Sequence, residues 1–144
     1  MKRLFLILLA STLVICGFAQ NNNPVSWKVN KKKTGPMTYE LRIKATIKEP
    51  WYIYPLDEAG IAMPTEITFA DNNNARLIGE IVVKHKDSEQ KEANLYYSKE
   101  VIFLQTIQLK SKDKTTIDFI IEYMACTKQM CLPPSMHKFS VKLR

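Results

Sequence analysis

One stretch of the chain alternates strictly between apolar and polar residues: Tyr39 to Ile47 has an apolar side chain at every odd position. Successive side chains of a β-strand point to opposite faces, so this alternation predicts a strand with one face on a core and the other in water. Leu41 and Ile43 are therefore expected to be buried. Arg42, between them, is expected to be exposed.

Further β-strands are predicted where short apolar or alternating runs are bounded by turn residues. Apolar residues recur at helical spacing in no stretch of the chain. About seven or eight strands separated by turns predict an all-β fold, an immunoglobulin-like antiparallel β-sandwich. The expected strands are Trp27–Val29, Tyr39–Ile47, Thr65–Phe69, Leu77–Val83, Val101–Leu109, Thr115–Met124 and Lys138–Leu143, with a short aromatic run at Trp51–Pro55.

Two polar stretches are predicted to connect strands. Lys31–Lys33, next to a Thr-Gly-Pro sequence, is expected to form a solvated turn. Lys84–Glu100 is polar except for Leu95, Tyr96 and Tyr97, so it is expected to be a long loop with a small aromatic cluster. Loops of that length are usually functional or mobile.

The N-terminus has the three parts of a secretory signal peptide: a basic start, the uncharged apolar run Leu4–Ile15, and small residues at Gly17 and Ala19. The apolar run is too short to favour a permanent membrane span. We expect residues 1–19 to be removed and residues 20–144 to form a single exported domain in the periplasm. Lipid attachment to Cys16 is the less favoured alternative, because Ile15 stands where a lipobox has a small residue.

Export changes how the charge and the cysteines are interpreted. The mature chain has 125 residues, with 19 basic against 14 acidic side chains, a net charge of +5. Its basic residues are scattered apart from Lys31–Lys33, and no aromatic residues alternate with that run, so a nucleic-acid partner is not expected. The mature chain keeps two cysteines, and disulfides persist in exported proteins.

These two cysteines, Cys126 and Cys131, are separated by four residues and are followed by Leu132 and two prolines. Four residues allow the chain to reverse in a β-hairpin, whose strands bring Cα atoms within the range of about 4.4–6.8 Å that a disulfide needs. A bridge closing so short a loop contributes only about 2 kcal/mol to folding, which favours a chemical role over a structural one. The pair is too close in sequence to join facing sheets, so it is expected at a hairpin end near the sandwich rim.

Three uses of the pair fit its spacing: a structural bridge, part of a zinc site, or thiol–disulfide exchange. Zinc needs further ligands, of which His137 is nearby and His85 is remote, so no metal is expected. Serine, histidine and carboxylate residues form no recognisable nucleophile pattern, which argues against a hydrolase.

The segment from Tyr123 to Pro134, together with Trp51–Pro55, resembles the N-terminal periplasmic domain of the thiol:disulfide interchange protein DsbD. The likeness extends from Trp27 to Leu143, and its most specific part is the second cysteine followed by an apolar residue and two prolines. The resemblance implies an immunoglobulin-like sandwich whose cysteine pair receives electrons from a thioredoxin-like domain and passes them to oxidised partners. It identifies Cys126 and Cys131 as the redox pair and requires no organic cofactor.

The resemblance also implies roles for aromatic residues near the pair. Tyr52 and Tyr54 match a strand that carries aromatic residues beside the family's disulfide, and Leu95, Tyr96 and Tyr97 lie where a cap loop shields the cysteines. The simpler interpretations are ordinary sandwich core for the first two and a small apolar cluster under a loop for the other three.

The chain also departs from the family in ways that affect the functional prediction. The four-residue spacer between the cysteines is one residue shorter than in some members, and the chain contains no transmembrane bundle and no thioredoxin-like Cys-x-x-Cys domain. Its electron donor is therefore expected to be a separate polypeptide, such as a membrane electron transporter. The alternative function is a non-catalytic secreted binding module that keeps a structural disulfide.

The two cysteines are expected to differ in accessibility. Cys131 precedes Leu132 and two prolines, which lack amide donors and resist closure into a sheet, so it should lie at an open, rigid edge. Cys126 ends the apolar strand that begins at Ile117 and should be enclosed. The family resemblance implies the same assignment, with Cys131 forming the mixed disulfide.

Overall fold

The computed structural model describes residues 23–56, 63–85 and 96–144. These residues form nine β-strands and no helix, so the all-β prediction is confirmed. Among them there is accordingly no helix that could span a membrane. The predicted signal peptide, Cys16 and Leu95 lie outside the described residues. The strands are β1 (Val25–Lys33), β2 (Thr38–Ile47), β3 (Tyr52–Ile53), β4 (Glu66–Phe69), β5 (Ala75–His85), β6 (Glu100–Leu109), β7 (Thr115–Tyr123), β8 (Ala125–Cys126) and β9 (Ser135–Leu143).

Two antiparallel sheets enclose one hydrophobic core. The larger has the strand order β1-β2-β6-β5 and the smaller the order β4-β7-β9. Inward-facing side chains from both sheets form the core, whose largest fully buried members include Tyr123, Phe103 and Phe119. Two antiparallel sheets packed over a shared core form an immunoglobulin-like β-sandwich, as predicted.

Strand β2 has the burial pattern that its sequence predicts. Leu41 and Ile43 are fully buried, and Arg42 is exposed. Lys44 is half-buried on the outer face, where its Nζ lies 2.5 Å from the carboxylate of Glu100. The predicted register of this strand is therefore confirmed.

The expected turn at Lys31–Lys33 is wrong, because these residues form the last part of β1. They pair with residues 39–41 of β2, and the chain turns between residues 34 and 37. The lysine side chains are exposed, as expected of a solvated run. A charged run of this kind suits an edge strand as well as a turn, since lysines on an edge discourage pairing with other chains. Similarly, Lys84 and His85 belong to β5 and not to the following connection.

The cysteines lie near the end of the sandwich at which three strands of the larger sheet meet. The start of β1, the end of β2 and the start of β6 meet there, because Val25 pairs with Ile47 and Thr46 pairs with Glu100. Asn23, just before β1, donates a hydrogen bond to the hydroxyl of Tyr123, the last residue of β7, and β8 begins two residues later. The cysteine pair therefore lies at a rim of the sandwich.

Candidate disulfide site

The two cysteines form a disulfide across the hairpin that the sequence predicts. Cys126 and Cys131 face each other as an antiparallel pair with their Cα atoms 4.0 Å apart. Backbone hydrogen bonds flank them, from Leu132 N to Ala125 O at 2.9 Å and from Thr127 N to Met130 O at 2.7 Å. Residues placed between two such bonds form the non-hydrogen-bonded type of antiparallel pair, in which Cα atoms approach most closely. The local backbone thus brings the two sulfurs together.

The hydroxyl of Thr127 organises the four-residue turn between the cysteines. Its Oγ1 accepts hydrogen bonds from the backbone N–H groups of Gln129 and Met130, both at 3.2 Å. The carbonyl of Thr127 accepts a further bond from the hydroxyl of Tyr52 at 3.1 Å. The sequence alone does not distinguish Thr127 as a site residue, although threonine commonly accepts such bonds from residues that follow it in a turn.

A small sheet at the rim holds this hairpin. Strand β8 pairs with β3, placing Tyr52 opposite Cys126. On the other side of β3, Ile53 and Tyr97 exchange two backbone hydrogen bonds of 2.9 and 2.7 Å. We call the assembly of Tyr97, β3, β8 and Cys131 the rim sheet. Because directly paired residues share a face, Tyr52 lies on the same face as the disulfide.

The two halves of the disulfide differ in exposure. Cys126 is fully buried, whereas Cys131 is exposed. Leu132, the next residue, packs against the core, and Pro133 and Pro134 are exposed. The expected contrast between an enclosed first cysteine and an open second cysteine is therefore confirmed.

Three of the predicted aromatic residues meet beside the disulfide. The ring of Tyr52 lies 5.7 Å from that of Tyr54 and 4.6 Å from that of Tyr96. Tyr96 is 45% exposed, and the other two are half-buried. Tyr52 and Tyr96 also line a cleft of about 580 Å³ whose other walls include Trp51 and Lys128. This tyrosine cluster gives the rim an apolar surface next to the cysteine pair.

Tyr97 does not belong to that cluster, so its assignment to a cap is wrong. Its side chain is 8% exposed and packs against Phe103 and His85, with ring centroids 5.9 and 5.8 Å away. Neighbouring residues in extended backbone point to opposite sides, which sends Tyr96 outward and Tyr97 into the core. Of the predicted cap residues in the described part of the chain, Tyr96 has its ring in the tyrosine cluster and Tyr97 has its ring in the core.

His85 and His137, the two histidines considered as zinc ligands, each lie against a tyrosine ring. His137 stacks on Tyr123 with ring centroids 5.8 Å apart, and its Nε2 lies 3.3 Å from the tyrosine hydroxyl and 3.3 Å from Nδ2 of Asn23. Across the residues the structure describes, no three histidine, cysteine or carboxylate side chains are grouped so as to hold a metal ion.

Burial is the main cause that raises the pKa of Tyr52 above its ordinary value of 10.0, the nearby hydroxyl of Tyr54 adds to the rise, and Lys128 opposes it. Tyr52 therefore remains protonated at neutral pH and can donate its hydrogen bond to Thr127. Because the pKa is higher in the folded protein, the stabilisation from this hydroxyl is complete below about pH 10 and is lost as the pH rises through the folded-state pKa.

We expect Tyr52→Phe to lower the free energy of unfolding at neutral pH by about 0.5–1 kcal/mol, because it removes one partly exposed hydrogen bond. Urea unfolding near pH 7 and near pH 11 should show the difference from wild type shrinking at the higher pH. Tyr96→Phe, which removes an exposed hydroxyl from the same cluster, is the matched control. If the difference in the free energy of unfolding between Tyr52→Phe and wild type stayed constant with pH, the stabilising role assigned to the Tyr52 hydroxyl would be contradicted.

The fold and site together define an immunoglobulin-like domain that carries a disulfide at its rim, with one half buried and the other open. A sequence profile of the family described as "Thiol:disulfide interchange protein DsbD, N-terminal" matches residues 24–143. The chain therefore belongs to this family.

A solved structure supports the fold. The crystal structure of the N-terminal periplasmic domain of ScsB from Proteus mirabilis matches with a TM-score of 0.54 at 14% sequence identity. The match covers 86% of this chain and 47% of that one, so the chain spans about half the length of the structure it matches. At this identity the likeness concerns the fold alone. No curated protein sequence matches the chain significantly.

Proposed function

We propose that the protein is an exported, periplasmic thiol–disulfide exchange domain that shuttles electrons between a thioredoxin-like donor and oxidised protein partners through Cys126 and Cys131. The observation that carries the proposal is the unequal exposure of the two halves of one disulfide, buried at Cys126 and open at Cys131. Membership of the DsbD N-terminal family supports it. The exposed half offers one defined point of attack, since exchange requires access to a sulfur.

The proposed reaction begins at Cys131. A donor thiolate attacks its Sγ, the Cys126–Cys131 bond breaks, and the electron pair leaves on Cys126, which takes up a proton. The donor's second thiolate then attacks the donor sulfur of the mixed disulfide and releases Cys131. The donor leaves as a disulfide and this domain as a dithiol, having gained two electrons and two protons. No cofactor is needed for thiol–disulfide exchange.

The second half of the cycle runs the same chemistry toward the partner to be reduced. The Cys131 thiolate attacks a disulfide of the oxidised partner, and Cys126 resolves the resulting mixed disulfide. The bridge re-forms and the partner leaves as a dithiol. Cys126 lies on the strand facing Cys131, so the resolving thiol is held beside the bond it must break.

The tyrosine cluster supplies the surface that a partner is proposed to cover. Tyr52, Tyr54 and Tyr96 present apolar rings with polar tips, a composition that suits protein contacts. Lys128 adds one positive charge at the edge of the same cleft. Tyr96 is proposed to restrict the approach of bulky molecules to the exposed Cys131 between encounters and to move aside when a partner docks.

The test is reduction of the purified protein by a reduced thioredoxin-like domain. We expect two thiols per chain to appear, at a rate at least about tenfold faster than with dithiothreitol at equal thiol concentration, because docking orients the reacting sulfurs. A variant with both Cys126 and Cys131 changed to alanine should gain no thiols. A bridge that is reduced no faster by the protein donor, and that has a reduction potential well below about −300 mV, would favour the structural-disulfide alternative.

A further inference from the structure

We propose that Thr127 is a positioning residue that sets the reduction potential of the Cys126–Cys131 pair by holding the turn between the cysteines closed. The inference deepens the proposed function and rests on it, because a potential matters only for a bridge that is made and broken. The feature that carries it is the Thr127 hydroxyl, which accepts bonds from two of the three residues that separate it from Cys131.

The turn is held by hydrogen bonds as well as by the disulfide. Thr127 Oγ1 accepts from Gln129 N and Met130 N, both at 3.2 Å, and Thr127 N donates to Met130 O at 2.7 Å. The hydroxyl of Tyr52 ties the Thr127 carbonyl to β3 at 3.1 Å. Lys128, Gln129 and Met130 are all exposed. Packing therefore contributes little to the shape of this turn, and the side chain of Thr127 contributes correspondingly more.

The hydrogen bonds to Oγ1 are expected to stabilise the oxidised form more than the dithiol. In the oxidised form the Cys126–Cys131 bond keeps the turn closed, so both bonds form continuously. In the dithiol the turn is free to open, and the bonds form only part of the time. By thermodynamic linkage, the free energy by which the disulfide stabilises these hydrogen bonds equals the free energy by which the hydrogen bonds stabilise the disulfide. Removal of the hydroxyl therefore raises the reduction potential, which makes the pair easier to reduce.

Three substitutions separate the hydroxyl from the shape of the side chain. Thr127→Val keeps the branched shape and loses the hydroxyl, and Thr127→Ala loses both. Thr127→Ser keeps the hydroxyl and loses the methyl group. A positioning role through Oγ1 predicts that valine and alanine behave alike and that serine resembles wild type.

The experiment equilibrates each purified protein with mixtures of dithiothreitol and its oxidised form, in which one dithiothreitol gives two electrons and two protons to the bridge and becomes a cyclic disulfide. The fraction of dithiol is counted by alkylation and mass spectrometry. For Thr127→Val and Thr127→Ala we expect the equilibrium constant favouring the bridge to fall about fivefold, a rise in potential of about 20 mV. Thr127→Ser should remain within about twofold of wild type.

A second measurement applies where the reduction potential of the wild-type protein lies outside the range that dithiothreitol mixtures can reach. Urea unfolding of the oxidised and reduced forms reports the same coupling, and Thr127→Val should destabilise the oxidised form more than the dithiol. The proposal would be overturned if Thr127→Val destabilised both forms equally or left the equilibrium constant favouring the bridge unchanged. It would also be overturned if Thr127→Val and Thr127→Ser changed that constant equally. Because dithiothreitol replaces any protein donor, these results stand apart from the outcome of the thioredoxin test.

Discussion

Cys126→Ser should form a covalent complex with a thioredoxin-like donor through Cys131, whereas Cys131→Ser should form little. The donor carries a single active-site cysteine activated as a mixed disulfide with thionitrobenzoate. A thiolate of the variant attacks the donor sulfur and releases thionitrobenzoate, which measures the rate. Cys131 is exposed and Cys126 is fully buried. We expect the two rates to differ by at least about a hundredfold, because exchange depends on access to the attacking sulfur.

The control is the same reaction in urea, where both variants expose their single cysteine and should react at similar rates. Equal trapping of the folded variants, or trapping by Cys131→Ser alone, would refute the assignment of Cys131 as the attacking residue. If neither folded variant reacts while both react in urea, the rim is closed to partners and the structural-disulfide alternative gains support. The backbone bonds from Leu132 to Ala125 and from Thr127 to Met130 remain available to hold the hairpin in both variants.

The sequence predicts well those features that depend on local periodicity. Alternation from Tyr39 to Ile47 predicted the buried face of β2, because a one-residue slip would turn every apolar side chain toward water. The four-residue spacer predicted the hairpin and the bridge, since few backbone paths close so short a loop. The unequal exposure of Cys126 and Cys131 followed from an apolar strand before the first cysteine and two prolines after the second.

Features that depend on pairing between distant segments were not predictable in the same way. Tyr96 and Tyr97 are chemically identical neighbours, and their different positions follow from the backbone pairing of Tyr97 with Ile53. That pairing joins residues 44 positions apart along the chain, and no local pattern encodes it. The lysines of β1 were misassigned for a related reason, because a charged edge strand and a charged turn have the same composition and only the partner strand distinguishes them.

The hydrogen bonds around the cysteine turn show the same limit. Tyr52 could be placed near the disulfide by resemblance, yet its bond to the Thr127 carbonyl depends on the exact alignment of β3 with β8. Thr127 itself was identifiable in principle, since its hydroxyl acts within three residues of its own position. A residue that acts locally can be found from sequence once the turn is known, whereas a residue that acts across strands requires the register.

Tyr97→Ala should destabilise the fold much more than Tyr96→Ala, although the two residues are adjacent. Tyr97 is 8% exposed and packs on Phe103 at the core face of the rim sheet, so its truncation leaves a cavity. We expect a loss of about 3 kcal/mol in the free energy of unfolding, measured by urea denaturation. Tyr96 is 45% exposed, and its truncation should cost no more than about 0.5 kcal/mol.

Alkylation of the reduced protein by a bulky reagent should reveal the effect of Tyr96→Ala, the variant that barely changes stability. Tyr96→Ala removes the ring that lies over Tyr52, on the face of the rim sheet that carries the cysteines, so alkylation of Cys131 should become faster in the folded protein. A small reagent, for which shielding matters less, is the control. An unchanged rate with the bulky reagent would remove Tyr96 from the proposed cap, and an unchanged urea midpoint for Tyr97→Ala would contradict its place in the core.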